Sequence, residues 1–404
     1  MSLFSSHKPE RSICTISIES GTVTVGLALA MEHRPPVVVY QVQKTLPFQE
    51  KVRSEVLEKN VFEALTGACD TLVRDGLPHI TSRRIQKGLI DEIHIVYASP
   101  WHLSQAKTLT ITNDTPFVVT EKLVQESVSK ETQNMVTSSV LAEARVTSEM
   151  SVIEERVTNI ALNGYDIDTP FGKKTQKLTM TLFVSALEKQ FREKIEEIVN
   201  RFVHAKDISH HSLPLAFFST VRDAFAVGKD FLLICAGEEI TDIAYARGEI
   251  LRDTASFPWG RAHIIRSLAK DLSCLPEEAE SLLNTQHLET LRGDIKEESR
   301  QALEKACSTW AGYLRETVKV FSGSGALPRA LFLITDEESD VFKKTLERGE
   351  LFGKSGSSAF DVTAMNKHIL APFCKAAGAV KKLDPRIAVA TLYAQTLSAD
   401  PKKD

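Results

Sequence analysis

The sequence predicts an α/β fold built on mixed sheets, and three observations carry that reading. Apolar runs of strand length, such as Ile13–Ile18, Thr22–Ala30 and Phe231–Ala236, stand apart from long stretches with helical spacing. The turn signals Glu19-Ser20-Gly21 and Arg247-Gly248-Glu249 join neighbouring runs into hairpins. A helical stretch then separates the third strand from the fourth, and this order makes a mixed sheet with flanking helices.

Pro36–Gln43, rich in valine, completes an N-terminal meander with the first two strands. In Arg53–Arg74 the residues Val56, Phe62, Leu65, Ala68 and Leu72 recur at helical spacing, and Asp91–Ser99 is the next strand, closed by Pro100-Trp101. From about residue 106 to 205 the texture changes. Thr108–Ile111 alternates like an edge strand, and Thr120–Lys130 is helical with Thr120 as its N-cap. Thr137–Ser151 is polar and reads as a loop. Val152–Leu162 alternates and turns at Asn163-Gly164-Tyr165, and Pro170-Phe171-Gly172 leads into a strand at Lys177–Val184. The helix Ala186–His204 places Leu187, Phe191, Ile195, Val199 and Phe202 on one face. Together these make a small α/β module, inserted where the first domain would otherwise continue.

Leu213–Ala226 is a helix with Pro214 near its start. The strands Phe231–Ala236 and Ile240–Ala246 flank the loop Gly237-Glu238-Glu239, and Asp253–Arg261 reads as a loop. Ala262–Asp271 is helical, Pro276 starts another helix, and Gly293–Val320 carries the stripe Leu303, Cys307, Trp310, Leu314 and Val318. Gly323-Ser324-Gly325 ends it. The strand Ala330–Ile334 runs into Thr335-Asp336-Glu337-Glu338, and a helix at Asp340–Arg348 follows. Ile387–Leu397 is a last helix, and ADPKKD reads as a frayed end.

At 404 residues the chain has room for two or more domains. A net charge of −4 without a long run of one sign gives no nucleic-acid surface. The six scattered cysteines, with no CxxC pair, suit reduced thiols in a cytoplasmic protein. MSLFSSHKPERS lacks a signal-peptide core, and Val23–Met31 is too short to span a bilayer.

The order of elements resembles the actin-like two-lobed ATPase fold, a duplicated mixed β-sheet with flanking helices and a small inserted α/β module. Within that superfamily the FtsA/PilM-like group of bacterial cell division and type IV pilus assembly is similar in several stretches. Tyr97-Ala98-Ser99-Pro100-Trp101 with Ser104-Gln105 resembles the exit into the inserted module. Leu162-Asn163-Gly164-Tyr165 with Thr169-Pro170-Phe171-Gly172-Lys173 resembles a hairpin inside it. Thr241-Asp242-Ile243-Ala244, Gly248-Glu249-Ile250 and Phe257-Pro258-Trp259-Gly260 resemble the second phosphate-loop hairpin and its exit. Pro276-Glu277-Glu278-Ala279-Glu280 resembles the entry to a helical lobe. The resemblance implies a first subdomain at 1–105, the inserted module at 106–205 and a return to the first lobe at 206–228. It places the second lobe at 229–365, helical over 262–325, and a C-terminal return segment at 366–404.

The resemblance also implies a nucleotide site made of three loops. Ser17, Ile18, Glu19, Ser20 and Gly21 match the first phosphate loop, with Ser17 in place of an aspartate and Glu19 in place of a glycine. Cys235 to Asp242 match the second. Cys235 stands at its aspartate, Glu238 and Glu239 stand at two glycines, and Gly237, Thr241 and Asp242 are retained. Thr335-Asp336-Glu337-Glu338 stands at the adenosine loop, where glycines are usual. A carboxylate 4 Å from a phosphate costs roughly 4 kcal/mol at an effective dielectric of 20. Ser17, Ser20, Gly21, Gly237, Thr241, Asp242 and Thr335 are therefore degenerate nucleotide-site positions. ATP with Mg²⁺ is the cofactor the resemblance implies, and the departures argue against tight binding and against hydrolysis. No catalytic residue and no metal ligand is assigned.

What the resemblance leaves is a pseudo-ATPase scaffold tethering a cytoplasmic partner or a membrane-protein tail at the inner face of the membrane. Self-assembly is open, and residues 106–205 would hold a peptide groove. The sequence has no terminal amphipathic membrane helix, so membrane association would be indirect, through a partner. Two alternatives stand beside it: an active ATPase with unorthodox loops, its carboxylate supplied by Asp242 at the family position or by Glu19, Glu238 or Glu239 in its stead, and a cytosolic adaptor sharing only the fold. Glu238-Glu239 reads as a solvated loop rather than a cation site. His210-His211 with Asp207 has metal-ligand residue types but no completing set. Cys235 reads as a buried thiol, and Trp101, Trp259 and Trp310 as packing residues. Gly353–Phe360 lacks P-loop spacing and reads as a loop.

Overall fold

The structure is a computed structural model, and it describes residues 10–81, 90–137, 149–225, 230–283, 290, 292–321, 327–335, 340–348 and 360–399. The expectations for Gly323-Ser324-Gly325, Asp336-Glu337-Glu338, most of Thr137–Ser151, nearly all of Gly353–Phe360 and the ADPKKD end lie largely outside these residues.

The strands in chain order are β1 (Arg11–Ile18), β2 (Thr22–Ala30), β3 (Val37–Thr45), β4 (Ile90–Tyr97), β5 (His102–Val118), β6 (Met150–Leu162), β7 (Tyr165–Asp166) and β8 (Lys174–Glu188). After them come β9 (Ala205–Ser212), β10 (Phe231–Ala236), β11 (Thr241–Arg247), β12 (Ile250–Phe257), β13 (Ala330–Ile334), β14 (Asp361–Ala364) and β15 (Lys375–Ala376). They form three sheets, ordered β15-β3-β2-β1-β4-β9, β12-β11-β10-β13-β14 and β5-β8-β6-β7.

The first two sheets repeat one plan. In each, a central strand pairs antiparallel with the next strand (β1 with β2, β10 with β11) and parallel with a later one (β1 with β4, β10 with β13). A third strand extends the antiparallel side (β3, β12) and a fourth the parallel side (β9, β14). Parallel neighbours need crossovers, and helices supply them. One is Ser54–Thr71 between β3 and β4, and another is Gly293–Phe321 between β12 and β13. The third sheet lies between β4 and β9 in the chain, so it interrupts the first sheet's plan without breaking it.

The apolar faces explain the packing. Leu303, Cys307, Trp310, Leu314 and Val318 are all buried along Gly293–Phe321, with Trp310 fully enclosed. Burying each such aliphatic side chain is worth about 1.5–3 kcal/mol. Leu213–Phe225 and Pro385–Ala399 pack on each other between the first two sheets, where Phe218, Phe231, Phe332 and Tyr393 share one core. The N-cap expected at Thr120 is present: its Oγ1 accepts from the Leu123 amide at 3.1 Å. Among the described residues no helix is long and apolar enough to cross a membrane.

Several elements depart from the sequence reading. Ala186–Glu188 belong to β8 rather than to the following helix, which spans Lys189–Phe202. The reason is tertiary: β8 is flanked by β5 and β6, and Ala186 pairs with both Leu103 and Val152. Residues 253–257, expected as a loop, are the second half of β12. That half is polar because it meets the inserted module through hydrogen bonds: the Thr254 Oγ1 donates to the Ser104 carbonyl at 3.1 Å. Ala205–Ser212, where no strand was expected, is β9, parallel to β4. Lys206 and Asp207 face solvent, whereas His210, His211 and Ser212 are buried and serve a hydrogen-bond network.

Candidate functional site

The two equivalent hairpin turns of the duplicated plan, 19–21 and 237–240, face each other across the cleft between the first two sheets. Gly21 has no Cβ, and one built there would lie 2.5 Å from the Glu238 Cβ. Glycine therefore permits direct contact of the two turns. Ser20 Oγ accepts from the Glu239 amide at 3.1 Å, a second direct bond across the cleft. The turn 237–240 is also sealed from behind. A Cβ at Gly260 would lie 2.4 Å from the Gly237 carbonyl oxygen, so the chain there tolerates only glycine. The first amides of the helix Arg261–Leu272 donate to this turn, Arg261 to the Gly237 carbonyl at 3.0 Å and Ala262 to the Glu238 carbonyl at 2.8 Å. Those are the donors a helix N-terminus would otherwise offer to an anion.

The three glutamates that replace expected glycines are each matched by an arginine. Glu19 is buried and lies 2.7 Å from Arg386 Nε. Arg261 Nη1 contacts both Glu238 carboxylate oxygens at 3.3 and 3.4 Å, and Arg261 also binds Glu280. Arg266 binds Glu239 in a two-pronged pair, at 2.9 and 2.5 Å, and its Nε donates to the Gln49 carbonyl at 2.9 Å. Glu239 is buried, so the reading of Glu238-Glu239 as a solvated loop is corrected. The physical reason is that a buried carboxylate needs a fork of donors, and guanidinium supplies one. Asp384 makes the same kind of claim on Pro385–Ala399: its Oδ1 caps that helix, accepting from the Arg386 and Ile387 amides at 2.7 and 3.3 Å.

A cavity of ≈ 220 Å³ lies at this point, lined by Gly21, Gly237 and Thr335 among the expected positions, together with Glu19, Arg261 and Arg386. A neighbouring cavity of ≈ 440 Å³ touches Ser20 and Gly21. Ser17, Thr241 and Asp242 line neither cavity. Ser17 is buried within β1. Thr241 Oγ1 donates to the Trp259 carbonyl at 2.7 Å and accepts from Trp310 Nε1 at 3.0 Å, which commits it to the second sheet's core. Asp242 accepts from the Ser99 amide at 3.1 Å and the Ser99 hydroxyl at 2.5 Å, a clasp between the two sheets. Cys235 is buried, and burial pushes its thiol far above the usual range, against the pull of Arg386.

Arg261, Arg266 and Arg386 are the residues that sequence reasoning missed. Arg261 and Arg266 each sit a short way after the acidic loop, which is a readable signal. Arg386 has none, because only the fold brings it to Glu19.

A second concave region lies on the inserted module. A groove of ≈ 570 Å³ runs between the helix Glu121–Thr137 and β6 on one side and the helices Leu213–Phe225 and Pro385–Ala399 on the other. Val128, Val157, Phe171, Leu215 and Leu397 give it apolar walls. Arg222 lies over the Phe218 ring at 5.4 Å and Arg156 over the Tyr393 ring at 5.9 Å. One wall of the groove thus comes from outside residues 106–205. Among the described residues no group of three or more His, Cys, Asp or Glu is placed to hold a metal. His210 and His211 are instead hydrogen-bonded, His210 to Tyr97 and Glu196 and His211 to His94 and Glu154.

No family model matches the sequence, and no curated protein matches it. Solved structures do. The chain superposes on a structure titled as the PilM–PilN type IV pilus biogenesis complex with a TM-score of 0.60 at 11% identity, covering 96% of this chain and 99% of that one. The chain has the actin-like ATPase fold. A diol dehydratase-reactivating factor in nucleotide-free form is also similar, with a TM-score of 0.47 at 10% identity over 96% and 100% of the two chains. A Bacteroides thetaiotaomicron protein described as having an actin-like ATPase fold matches with a TM-score of 0.42 at 9% identity, over 97% and 99%. At these identities the likeness concerns the fold alone.

Proposed function

We propose that this protein is an actin-like scaffold that does not hydrolyse ATP and that tethers a protein partner through the groove on its inserted module. The observation that carries the first half is the set of three glutamate–arginine pairs at the phosphate-loop turns. An arginine paired with a buried carboxylate is not free to meet a phosphate, and each carboxylate repels one. The turns touch each other directly, so the contact that a bridging phosphate would supply is made by the protein itself. Calorimetry with Mg²⁺ and ATP tests this. The expected result is no heat of binding up to millimolar ATP, and micromolar binding that Asp242→Ala weakens would overturn it in favour of an ATPase with unorthodox loops.

The second half rests on the groove and on the likeness to the PilM–PilN complex, in which that PilM is bound to a partner. Apolar walls under two arginines suit an extended peptide with apolar side chains, such as the cytoplasmic tail of a membrane protein in pilus assembly or cell division. Membrane association would then be indirect, through that partner. Phe171 is half exposed on the groove and makes the natural anchor. Phe171→Ala is expected to weaken partner binding by about 2 kcal/mol, or about 30-fold, as truncated interface anchors do. Titration of the captured partner by fluorescence anisotropy checks this. An unchanged affinity would move the binding surface elsewhere, and a partner set that is wholly soluble would favour a cytosolic adaptor.

A further inference from the structure

Beneath the groove runs a line of four side chains, buried from Glu154 to His94 and partly exposed at Glu92. His211 Nδ1 lies 3.3 Å from Glu154 Oε1, His211 Nε2 lies 3.0 Å from His94 Nδ1, and His94 Nε2 lies 3.1 Å from Glu92 Oε2. Glu154 belongs to β6 of the inserted module, whereas His94, Glu92 and His211 belong to β4 and β9 of the first sheet. The line is therefore a junction between the two.

Both ends are carboxylates. Glu154 Oε2 accepts from Ser185 Oγ at 2.6 Å, Ser212 Oγ at 2.5 Å and the Ser212 amide at 3.0 Å. Burial pushes the Glu154 carboxyl up, but these donors and His211 outweigh it and hold it below the usual range. Glu92 accepts from Arg11 Nη1 at 2.5 Å and Ser398 Oγ at 2.9 Å. Burial raises its carboxyl too, yet His94, Ser398 and Arg11 bring it down to about 2.

The proton count follows from these ends. Each of the three contacts needs one proton between its heavy atoms. The carboxylates bring none, and two neutral imidazoles bring two. One contact would then set two lone pairs against each other, at a cost the buried site does not relieve.

We propose that His94 and His211 share one additional proton, held as a single positive charge between two carboxylates, and that this proton is the ligand seating the inserted module on the first sheet.

Glu92 and Glu154 supply two negative charges around it, and Arg11 beside Glu92 and Arg156 near His211 supply two positive ones. Burial, with His94 and Arg156, holds His211 below its ordinary value against the upward pull of Glu154, so it is the geometry of the three contacts that calls for the extra proton. His210, next in the chain, is turned to Tyr97 and Glu196. From Pro385–Ala399, Tyr393 sets its ring edge-on to His211 at 5.1 Å and its hydroxyl 3.4 Å from Glu154 Oε1. Removing the proton would leave one of the three contacts with two facing lone pairs and no donor. Glu155, Arg156 and Tyr393 also line the groove, so the proton shapes the groove floor. That last step alone rests on the groove reading.

Nitrogen-15 NMR of the histidine rings in the intact protein at neutral pH tests the proposal without a partner. The expected spectrum has a scalar coupling across one N–H···N bond between His94 and His211, with both outer nitrogens protonated. One protonated and one bare nitrogen on each ring, with no coupling, would overturn it. Glu154→Gln, which keeps the shape and removes the charge, is expected to abolish the coupling and to speed amide exchange in β6 about tenfold or more. Unchanged coupling in this variant would show that the carboxylate does not hold the proton. If the coupling is present but partner binding is unaffected by Phe171→Ala, the groove reading fails and the proton assignment stands.

Discussion

Arg386→Met is expected to lower the unfolding free energy by about 3–5 kcal/mol, the cost of stranding a buried charge. Its partner Glu19 is only 4% exposed, and Cys235 beside it offers no compensating positive charge. Methionine keeps much of the arginine's volume, so packing loss contributes little and the effect is electrostatic. Urea unfolding monitored by tryptophan fluorescence measures it. The double variant Glu19→Gln with Arg386→Met should recover most of the loss, because a neutral pair has no charge to desolvate. A cost under about 1 kcal/mol for Arg386→Met would place the pair in the range of exposed ion pairs. Glu19 would then reach water easily, and the cleft would be open enough to reconsider a ligand there.

The double variant also separates two meanings of the glutamates. If they served only to repel phosphate, neutralising Glu19 would be neutral for stability and would raise nucleotide affinity. If they are bonded members of a closed cleft, stability changes and affinity stays absent. The direct contact of Gly21 with Glu238 and of Ser20 with Glu239 supports the second meaning.

The sequence made the fold legible wherever an element is held by apolar packing, in strands buried on both faces or in a helix with one apolar stripe. Strands β1, β2, β10 and β13 and the long helix with Trp310 were readable from apolar runs and helical spacing. Elements whose side chains answer to a distant partner were not. Strand β9 reads AKDISHHS because His210 and His211 serve Tyr97, Glu196, His94 and Glu154, and local propensity contains none of that. The loss of phosphate-loop glycines was plain in the sequence, but the meaning of the glutamates was not. Alone, Glu238-Glu239 is a hydrophilic turn, and Arg261 and Arg266, brought round by the helix Arg261–Leu272, make it a partly buried ion-pair cluster with Glu239 as its buried member.

Asp242 gives the sharpest contrast between a degenerate enzyme and a scaffold. In the ATPase reading it is the one acidic residue left at an expected family position, so Asp242→Ala would alter nucleotide affinity and leave stability nearly unchanged. Here its carboxylate binds the amide and hydroxyl of Ser99 and is buried. Truncation would strand a buried N–H and a buried O–H, for an expected loss of about 3 kcal/mol. Asp242→Asn keeps one carbonyl acceptor but loses the charge, so its cost should be about half as large. Ser99 follows β4 of the first sheet and Asp242 lies on β11 of the second, so breaking the clasp should also let the two sheets part. Small-angle scattering would report this as a larger radius of gyration in Asp242→Ala. An unchanged radius with full stability would mean that the clasp holds nothing. A destabilised, more open variant that is still silent to ATP would identify Asp242 as a fastening between lobes, kept in the place where a hydrolase keeps its chemistry.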